Sequence, residues 1–120
     1  MKQTIYIAGK VTGLPIHEVT MLFGDAQKKL EDKGFKVLNP LELVCLHGNG
    51  FHTDWQTAMK ICLRSLTHAD AVFLLPNWKD SKGAKLEHHL AGELGIYCTD
   101  SLYNLTSYFF AHANHVQSQG

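Results

Sequence analysis

The chain has 120 residues, 45% of them hydrophobic, which is enough to bury one continuous core and predicts a single domain. Its 11 basic and 11 acidic residues cancel, which disfavours a nucleic acid polymer as partner because phosphate backbones require a broad basic surface. The N-terminal residues pass directly into a strand-like run with no apolar stretch long enough for a signal peptide or membrane span, so we predict a cytoplasmic protein without a membrane partner.

Strand-like and helix-like segments alternate along the chain, which is typical of βαβ units and a parallel sheet. Strands are predicted at residues 4–8, 35–38, 71–75 and 96–98. The third is an unbroken apolar run, as expected of a central strand that is covered on both faces. The pattern predicts an α/β fold, a three-layer sandwich with a short, mainly parallel sheet of about four to five strands flanked by helices, Rossmann-like or flavodoxin-like.

Apolar residues at helical spacing predict helices between these strands. The first helix spans residues 16–33 and stops at Gly34. Residues 41–52 begin apolar but become rich in Gly and His, which suggests a surface loop. Thr53 is expected to cap the next helix, on which Trp55, Met59, Cys62 and Leu66 share a face.

The last predicted helix is rich in aromatic residues. Leu102, Leu105, Phe109 and Val116 mark its apolar stripe. The helix carries more aromatic side chains than one face needs to pack against a sheet, namely Tyr103, Tyr108, Phe109 and Phe110. A subunit interface and ordinary core packing both explain this cluster; the first would make the protein a homo-oligomer, a dimer or larger.

The three cysteines form no C-x-x-C pair and are odd in number, which argues against a disulfide framework and fits a reducing compartment. We interpret Cys45, Cys62 and Cys98 as buried thiols. The spacing of Cys45, His47 and His52 matches no standard zinc pattern, so no metal site is predicted.

The helix predicted from Ser81 to Leu94 carries the most informative side chain. Ser81 can cap its start, and Gly95 stands where a left-handed residue ends a helix. On a helical wheel Glu87 falls near the middle of an arc of roughly 160° that is otherwise apolar. The other members of that arc are Ala84, Leu86, Leu90, Ala91 and Leu94.

A carboxylate aimed at the core costs several kcal/mol, about 2 to 7 for an unpaired polar group, unless it is hydrogen-bonded, neutralised or faces a cavity. The opposite side of the helix is polar and could carry a glutamate at no cost. The placement of Glu87 on the buried side therefore favours a functional site. The alternative is a Glu buried against a backbone donor, Arg64 or a lysine.

Several loops follow predicted strands and should therefore gather at the carboxyl edge of the sheet, where ligands bind in such folds. Gly9 and Gly13 would let backbone N–H groups approach an anion, with Lys10 nearby, although they can also simply turn the chain. Ser81 offers similar donors at a helix N-terminus, with Asn39 and Gly83 in the same region.

Together these segments resemble the DUF4406 family, which is similar to nucleoside 2-deoxyribosyltransferases and 2-deoxynucleoside 5-phosphate N-hydrolases. The segments that carry the resemblance are Tyr6 to Pro15, Asn39-Pro40, Trp55 with Met59, Ala69-Asp70, Leu74 to Trp78 and Ser81 to Glu87. The stretch Ser-x-Gly-Ala-x-x-Glu after a strand is the most specific. The resemblance implies a deoxyribosyltransferase-like α/β domain at residues 1–98. Beyond it, the residue pattern predicts a C-terminal helix at 99–116, a candidate oligomer interface, and a frayed tail at 117–120.

The resemblance implies roles for individual residues. Glu87 corresponds to the nucleophilic carboxylate that attacks the anomeric carbon of the sugar and expels the nucleobase, as in retaining glycosidases. Ser81 corresponds to a residue that contacts the 5-phosphate or a sugar hydroxyl, and the loop from Gly9 to Gly13 to a ribose- and phosphate-binding turn. Tyr6 and Trp78 could stack on a base, with core packing as the alternative for Tyr6.

One position departs from the family pattern. The related enzymes carry an Asp eight residues before the Asp of the Ala-Asp dipeptide, where it assists protonation of the leaving base; here that position is Cys62. Either another acid acts, with Asp80 and Asp54 the nearest candidates, or the site binds without turnover. Asp80 can also be a solvated turn residue.

The sequence therefore predicts a protein that binds a small nucleoside or nucleotide and needs no cofactor. The first hypothesis is an N-glycosidic bond hydrolase or deoxyribosyltransferase in which Glu87 and Asp80 are catalytic. The second is an inactive module that binds or sequesters a nucleotide, and a third makes the terminal aromatic helix the functional surface. Base preference, the need for a phosphate, and the choice of acceptor depend on the walls of the pocket.

Overall fold

The strands form one parallel sheet in the computed structural model, which describes residues 2–119, with side chains for residues 2–111. The strands are β1 (Thr4–Ala8), β2 (Lys36–Leu38), β3 (Ala71–Leu74) and β4 (Tyr97–Thr99). Their spatial order is β2-β1-β3-β4, and every adjacent pair is parallel. The predicted α/β class is confirmed, with four strands and with β4 one residue later than the prediction.

Alternating residues of β1 separate the two layers of the core. Ile5 and Ile7 contribute to one apolar cluster, and Tyr6 and Ala8 contribute to the other. All four are inaccessible to solvent because β1 lies between β2 and β3 and both faces are covered. Tyr6 is therefore the one residue of this strand that brings a polar group into the core.

Five helices flank the sheet and complete the three-layer sandwich. They are α1 (Ile16–Asp32), α2 (Pro40–His47), α3 (Trp55–Leu66), α4 (Lys82–Glu93) and α5 (Leu102–Gln119). The Ile5 side of the sheet is covered by α1 and α5, and the Tyr6 side by α3 and α4. Within the described residues, no helix combines the length and apolar character required to cross a membrane.

The segment read as a surface loop is mostly helical, so that prediction was wrong. Residues 40–47 form α2, and a short 3-10 turn follows at Gly50–His52. The side chain of Asn39 accepts a hydrogen bond from the Leu41 N–H at 3.0 Å, and Pro40 occupies the first helical position. The loop signal came from the Gly- and His-rich residues after this helix.

The predicted cap of α3 was displaced by one residue. Asp54, rather than Thr53, caps the helix, since its carboxylate accepts the Thr57 N–H at 3.0 Å. The Thr53 hydroxyl instead accepts the Asn49 N–H at 2.6 Å and closes the preceding turn. The cysteine interpretation also requires correction, because Cys45 is exposed on α2, Cys98 is half-buried and Cys62 is the buried thiol.

The aromatic residues of α5 divide between packing and exposure. Tyr108 stacks on Tyr97 with ring centroids 4.0 Å apart, and Phe109 packs against Phe35. Tyr103 and Phe110 are 78% and 70% exposed. The subunit interface stays a prediction, and Val116 and the predicted tail at 117–120 lie outside the residues whose side chains are described.

Candidate functional site

Helix α4 begins where the sequence predicts and turns a narrow stripe toward the sheet. The Ser81 hydroxyl accepts the Ala84 N–H at 3.0 Å, and Gly95 follows the helix with φ +73°. The buried residues of α4 are Gly83, Ala84, Glu87 and Ala91. Leu86 and Leu94 are 40% and 52% exposed, so their predicted place in the buried arc was wrong. The small residues at the centre of the buried stripe let the helix approach the sheet closely, while Leu86 and Leu94, at the edges of the predicted arc, stay in contact with solvent.

Glu87 is buried and held by a tyrosine rather than by a cation. The hydroxyl of Tyr6, on the central strand, donates a hydrogen bond to Glu87 Oε2. Glu87 is 5% exposed, and among the described residues no Lys or Arg forms an ion pair with it. Burial raises the pKa of Glu87 from 4.5 to about 8, and the Tyr6 hydrogen bond acts in the opposite direction. The carboxyl group is therefore largely protonated at neutral pH in the unliganded protein.

Glu87 reaches a cavity of about 480 Å³, which we call the Glu87 cavity. Its walls come from the loop after β1, α2, the 3-10 turn, α3 and the first turns of α4. Most lining side chains are apolar, and Glu87 is the only acidic or basic one among those described. The volume, and one ionisable carboxyl group among mostly apolar walls, are typical of a small-molecule site. Its other main lining residues are Gly9, Thr12, Gly13, Phe51, Trp55, Met59, Cys62 and Gly83.

A second, polar cavity of about 590 Å³ adjoins the first, and the two share Thr12, Trp55 and Gly83. The start of α4 opens into it through Ser81 and Lys82, and the start of α3 through Asp54 and Gln56. Lys10 and Asp80 complete the lining. Helix N-termini and ammonium groups attract anions, but the carboxylates of Asp54 and Asp80 balance the two lysines, so this polar cavity offers donors and acceptors for sugar hydroxyls and, at the start of α4, backbone N–H groups for a phosphate.

The two loop glycines have backbone reasons to be present at this edge of the sheet. A Cβ on Gly9 would lie 2.6 Å from Leu75 Cδ1 and 2.9 Å from Leu75 Cβ, so only glycine lets the end of β1 approach β3. Gly13 has φ +87°, which favours glycine. The Lys10 N–H donates to Asn77 Oδ1 at 3.0 Å and ties this loop to the one after β3.

The predicted site residues separate into those that line a cavity and those that do not. Glu87, Gly9, Gly13 and Gly83 line the Glu87 cavity, and Lys10, Asp80, Ser81 and Gly83 line the polar cavity. Tyr6 lies beneath the carboxylate. Asn39 faces a third groove between α1 and α2, where its amide donates to Gln27. Trp78 packs against His88 with ring centroids 4.4 Å apart and the ring planes tilted by 42°, and it is absent from the described lining of both cavities.

Cys62 stands in the wall of the Glu87 cavity, where the family resemblance leads us to expect an acid. Burial raises the pKa of this thiol to about 11, so it is neutral at physiological pH. Asp54 and Asp80, the alternative acids, line the polar cavity instead. Hydrogen bonds from Thr57 lower the pKa of Asp54, which is therefore a carboxylate rather than a proton donor.

Two aromatic side chains that the sequence did not assign to the site also line the Glu87 cavity, Trp55 and Phe51. Trp55 lies against the first turn of α4, since its Nε1 is 3.6 Å from a Cβ built on Gly83. The ammonium of Lys82 lies 4.1 Å from the centroid of the Trp55 ring. The helical spacing of Trp55 and Met59 indicated a shared face, but only the fold shows that the face borders a cavity.

Comparisons with known proteins identify a family but no characterised relative. A family model described as Domain of unknown function (DUF4406) matches residues 3–100. No curated protein and no solved structure matches the chain. Among the described residues, no group of three or more His, Cys, Asp or Glu side chains is arranged to hold a metal ion.

Proposed function

The chain belongs to the DUF4406 family, and we propose that its Glu87 cavity binds a nucleoside or nucleotide and cleaves the N-glycosidic bond. One observation carries the proposal: a buried carboxyl group, held by Tyr6, is the single acidic or basic side chain among the described residues that line an apolar cavity large enough for a nucleoside. A carboxyl group that served packing alone would need partners only within the core, whereas Glu87, besides its hydrogen bond with Tyr6, borders the cavity.

The reaction uses Glu87 as nucleophile. In its ionised form, a Glu87 oxygen forms a bond with the anomeric carbon while the electron pair of the carbon–nitrogen bond leaves with the base. Water, or a second base, then attacks the same carbon and releases the carboxylate, which gives a hydrolase or a transferase. The Tyr6 hydroxyl holds one Glu87 oxygen and leaves the other for attack.

The polar cavity supports a 5-phosphate or a sugar hydroxyl as the second recognition element. Backbone N–H groups at the start of α4 and the ammonium groups of Lys10 and Lys82 border the space next to Glu87. A sugar that spans the shared boundary would place its anomeric carbon on the Glu87 side and its 5-position on the side of Ser81.

The test is release of free base from a panel of ribo- and deoxyribonucleosides and their 5-monophosphates, with neutral and with cationic bases, separated by liquid chromatography. The wild type should release at least one base, and Glu87→Gln should lower the rate by about 10³-fold or more because the nucleophile is lost. Glu93→Gln is the matched control, since Glu93 lies on the solvent side of the same helix. A full panel with no release, or an active Glu87→Gln protein, would refute the proposal.

A second candidate, a nucleotide-binding module without turnover, is favoured by the neutral thiol of Cys62 in the place of the expected acid. It predicts that a nucleotide raises the thermal unfolding temperature of both wild type and Glu87→Gln, with no base released from either. Measured turnover at enzyme-like rates would exclude it.

A homo-oligomer is also proposed, because Tyr103 and Phe110 expose large aromatic surfaces on α5. Light scattering coupled to gel filtration would measure the mass of the wild type and of Tyr103→Ser. A monomeric wild type would contradict this part of the proposal.

A further inference from the structure

Among the described residues that line the Glu87 cavity, none besides Glu87 itself is suited to protonate a departing base. The cavity's only acidic or basic described side chain is Glu87, which is assigned as the nucleophile. Cys62 borders the same space, but a buried thiol with a raised pKa is a poor proton donor. Asp54 and Asp80 open into the polar cavity. The chemistry of the leaving group is therefore restricted.

Leaving groups differ in their need for a proton. A neutral nucleobase departs as an anion unless an acid protonates it, and positioned acids typically contribute about 10² to 10⁴-fold to such steps. A ring nitrogen that already carries a positive charge needs no proton, because it accepts the bonding electron pair and leaves as a neutral heterocycle. A site with a carboxylate nucleophile and no acid is therefore suited to a leaving group whose ring nitrogen already carries a positive charge.

We propose that the preferred substrates of the Glu87 cavity are N-glycosides whose leaving group is a cationic nitrogen heterocycle, such as a pyridinium or a ring-alkylated purine. This inference rests on the proposed glycosidic cleavage by Glu87 and adds the class of substrate. Two features of the cavity besides the missing acid support a cationic ring.

The first feature is the unbalanced charge of the cavity. Once ionised, Glu87 has no Lys, Arg or His among the described lining residues, and its one described hydrogen-bond partner is the neutral Tyr6. A cationic ligand would supply the missing counter-charge in a low-dielectric space. Burial holds the pKa of Glu87 near 8 in the unliganded protein, and a bound cation would lower it and favour the nucleophilic form.

The second feature is the aromatic wall. Trp55 and Phe51 line the cavity, and the Lys82 ammonium lies over the Trp55 ring at 4.1 Å, so a cationic ligand would share that ring with Lys82 or contact Phe51. Indole is the best aromatic partner for a cation, and a flat heterocycle can also stack on it. Met59, in van der Waals reach of the start of α4, adds a polarisable thioether to the same wall.

The proposed reaction balances without a further reactant. A Glu87 carboxylate oxygen forms an ester bond with the anomeric carbon, the carbon–nitrogen bond breaks, and its electron pair neutralises the ring nitrogen. Water then adds at the anomeric carbon, the ester bond breaks, the carboxylate is regenerated and one proton is released to solvent. A cationic glycoside plus water thus yields sugar, neutral heterocycle and a proton.

The experiment compares matched pairs of substrates that differ in ring charge. Nicotinamide riboside, a permanent pyridinium cation, is paired with its neutral dihydropyridine form, and 7-methylguanosine is paired with guanosine. Each is offered in ribo and deoxyribo forms, with and without a 5-phosphate, and background hydrolysis is subtracted. We expect kcat/KM for the cationic member to exceed that of its neutral partner by at least about 100-fold, and Glu87→Gln to abolish release from both.

A variant tests the reason for the preference. Cys62→Asp places a carboxyl group in the cavity wall and should raise base release from guanosine by about tenfold or more. The ratio of kcat/KM for 7-methylguanosine to kcat/KM for guanosine should therefore fall. Cys62→Ser adds no acid and should leave that ratio unchanged. If Cys62→Asp does not fold, the wild-type ratios decide alone. Equal cleavage of neutral and cationic members would overturn this inference and leave the proposed function standing. No release from any member would overturn both.

Discussion

Replacing Glu87 with glutamine should change how the stability of the fold depends on pH. The folded state raises the pKa of this carboxyl group from 4.5 to about 8, chiefly because the group is buried. The protonated form is therefore preferred in the folded protein, and the contribution of Glu87 is fully present below pH 4.5. It is lost progressively as the pH rises toward 8, because the unfolded chain then gains more by ionising.

The size of the effect follows from the two pKa values. At about 1.36 kcal/mol for each pH unit, the loss between pH 4.5 and 7 is about 3 kcal/mol, and it reaches about 4 kcal/mol near pH 8. The glutamine side chain of the Glu87→Gln variant cannot ionise and should not show this loss. The Cys62 thiol and the Tyr6 hydroxyl face the same carboxyl group but remain neutral over this range, because burial raises the pKa of each.

Urea unfolding at pH 4.5, 6, 7 and 8 would measure the effect as a change in the midpoint difference between Glu87→Gln and wild type. With m-values of about 1 to 3 kcal/mol/M, a 3 kcal/mol change moves that difference by about 1 to 3 M between pH 4.5 and pH 7, in favour of the variant. Glu93→Gln, on the exposed side of the same helix, should follow the wild type. Parallel pH profiles for wild type and Glu87→Gln would refute the assignment of a buried, raised carboxyl group.

Two further substitutions test the contacts around the site. Tyr6→Phe removes the hydroxyl that donates to Glu87 and should lower the free energy of unfolding by about 1 to 3 kcal/mol. The same substitution should raise the pKa of Glu87, which would move the rising limb of a pH–rate profile to higher pH. Unchanged stability and pH–rate profile would show that the hydrogen bond is absent in solution. Gly9→Ala should lower the free energy of unfolding by about 1 to 3 kcal/mol because the added Cβ would overlap Leu75. Gly24→Ala, with no atom within 4 Å of the added Cβ, should instead raise it by about 0.5 to 1 kcal/mol. Calorimetry would contradict the packing argument if both variants changed the stability in the same direction.

Short-range signals in the sequence were sufficient for most of the fold. The alternation of strand-like and helix-like segments predicted the parallel sheet, and β1 was predicted to the residue. Three predictions for α4 are confirmed: Ser81 caps its start, Gly95 follows its end, and Glu87 points inward. Each could be predicted because it depends on residues within one or two helical turns. The predicted chemical roles of these residues stay predictions.

Errors arose where tertiary contacts compete with local patterns. The Gly- and His-rich end of the segment after β2 concealed α2, although α2 forms a wall of the Glu87 cavity. Leu86 and Leu94 belong to an apolar arc by helical periodicity, but the helix is covered only along the narrower stripe of small residues. How wide a buried face is depends on the neighbouring helices, which periodicity does not encode.

The sequence by itself determined that Glu87 points inward and that Cys62 occupies the position at which the predicted resemblance to deoxyribosyltransferases would place an acid. Only the tertiary structure decided what surrounds them: Tyr6, 81 positions away from Glu87, holds the carboxylate, while Trp55 and Cys62 from α3 close the same cavity. Asp54 and Asp80 fall on the other side of the shared boundary. The physical reason is that helical direction is local, whereas the partner, charge balance and burial of a side chain depend on strands and helices that are brought together by the sheet.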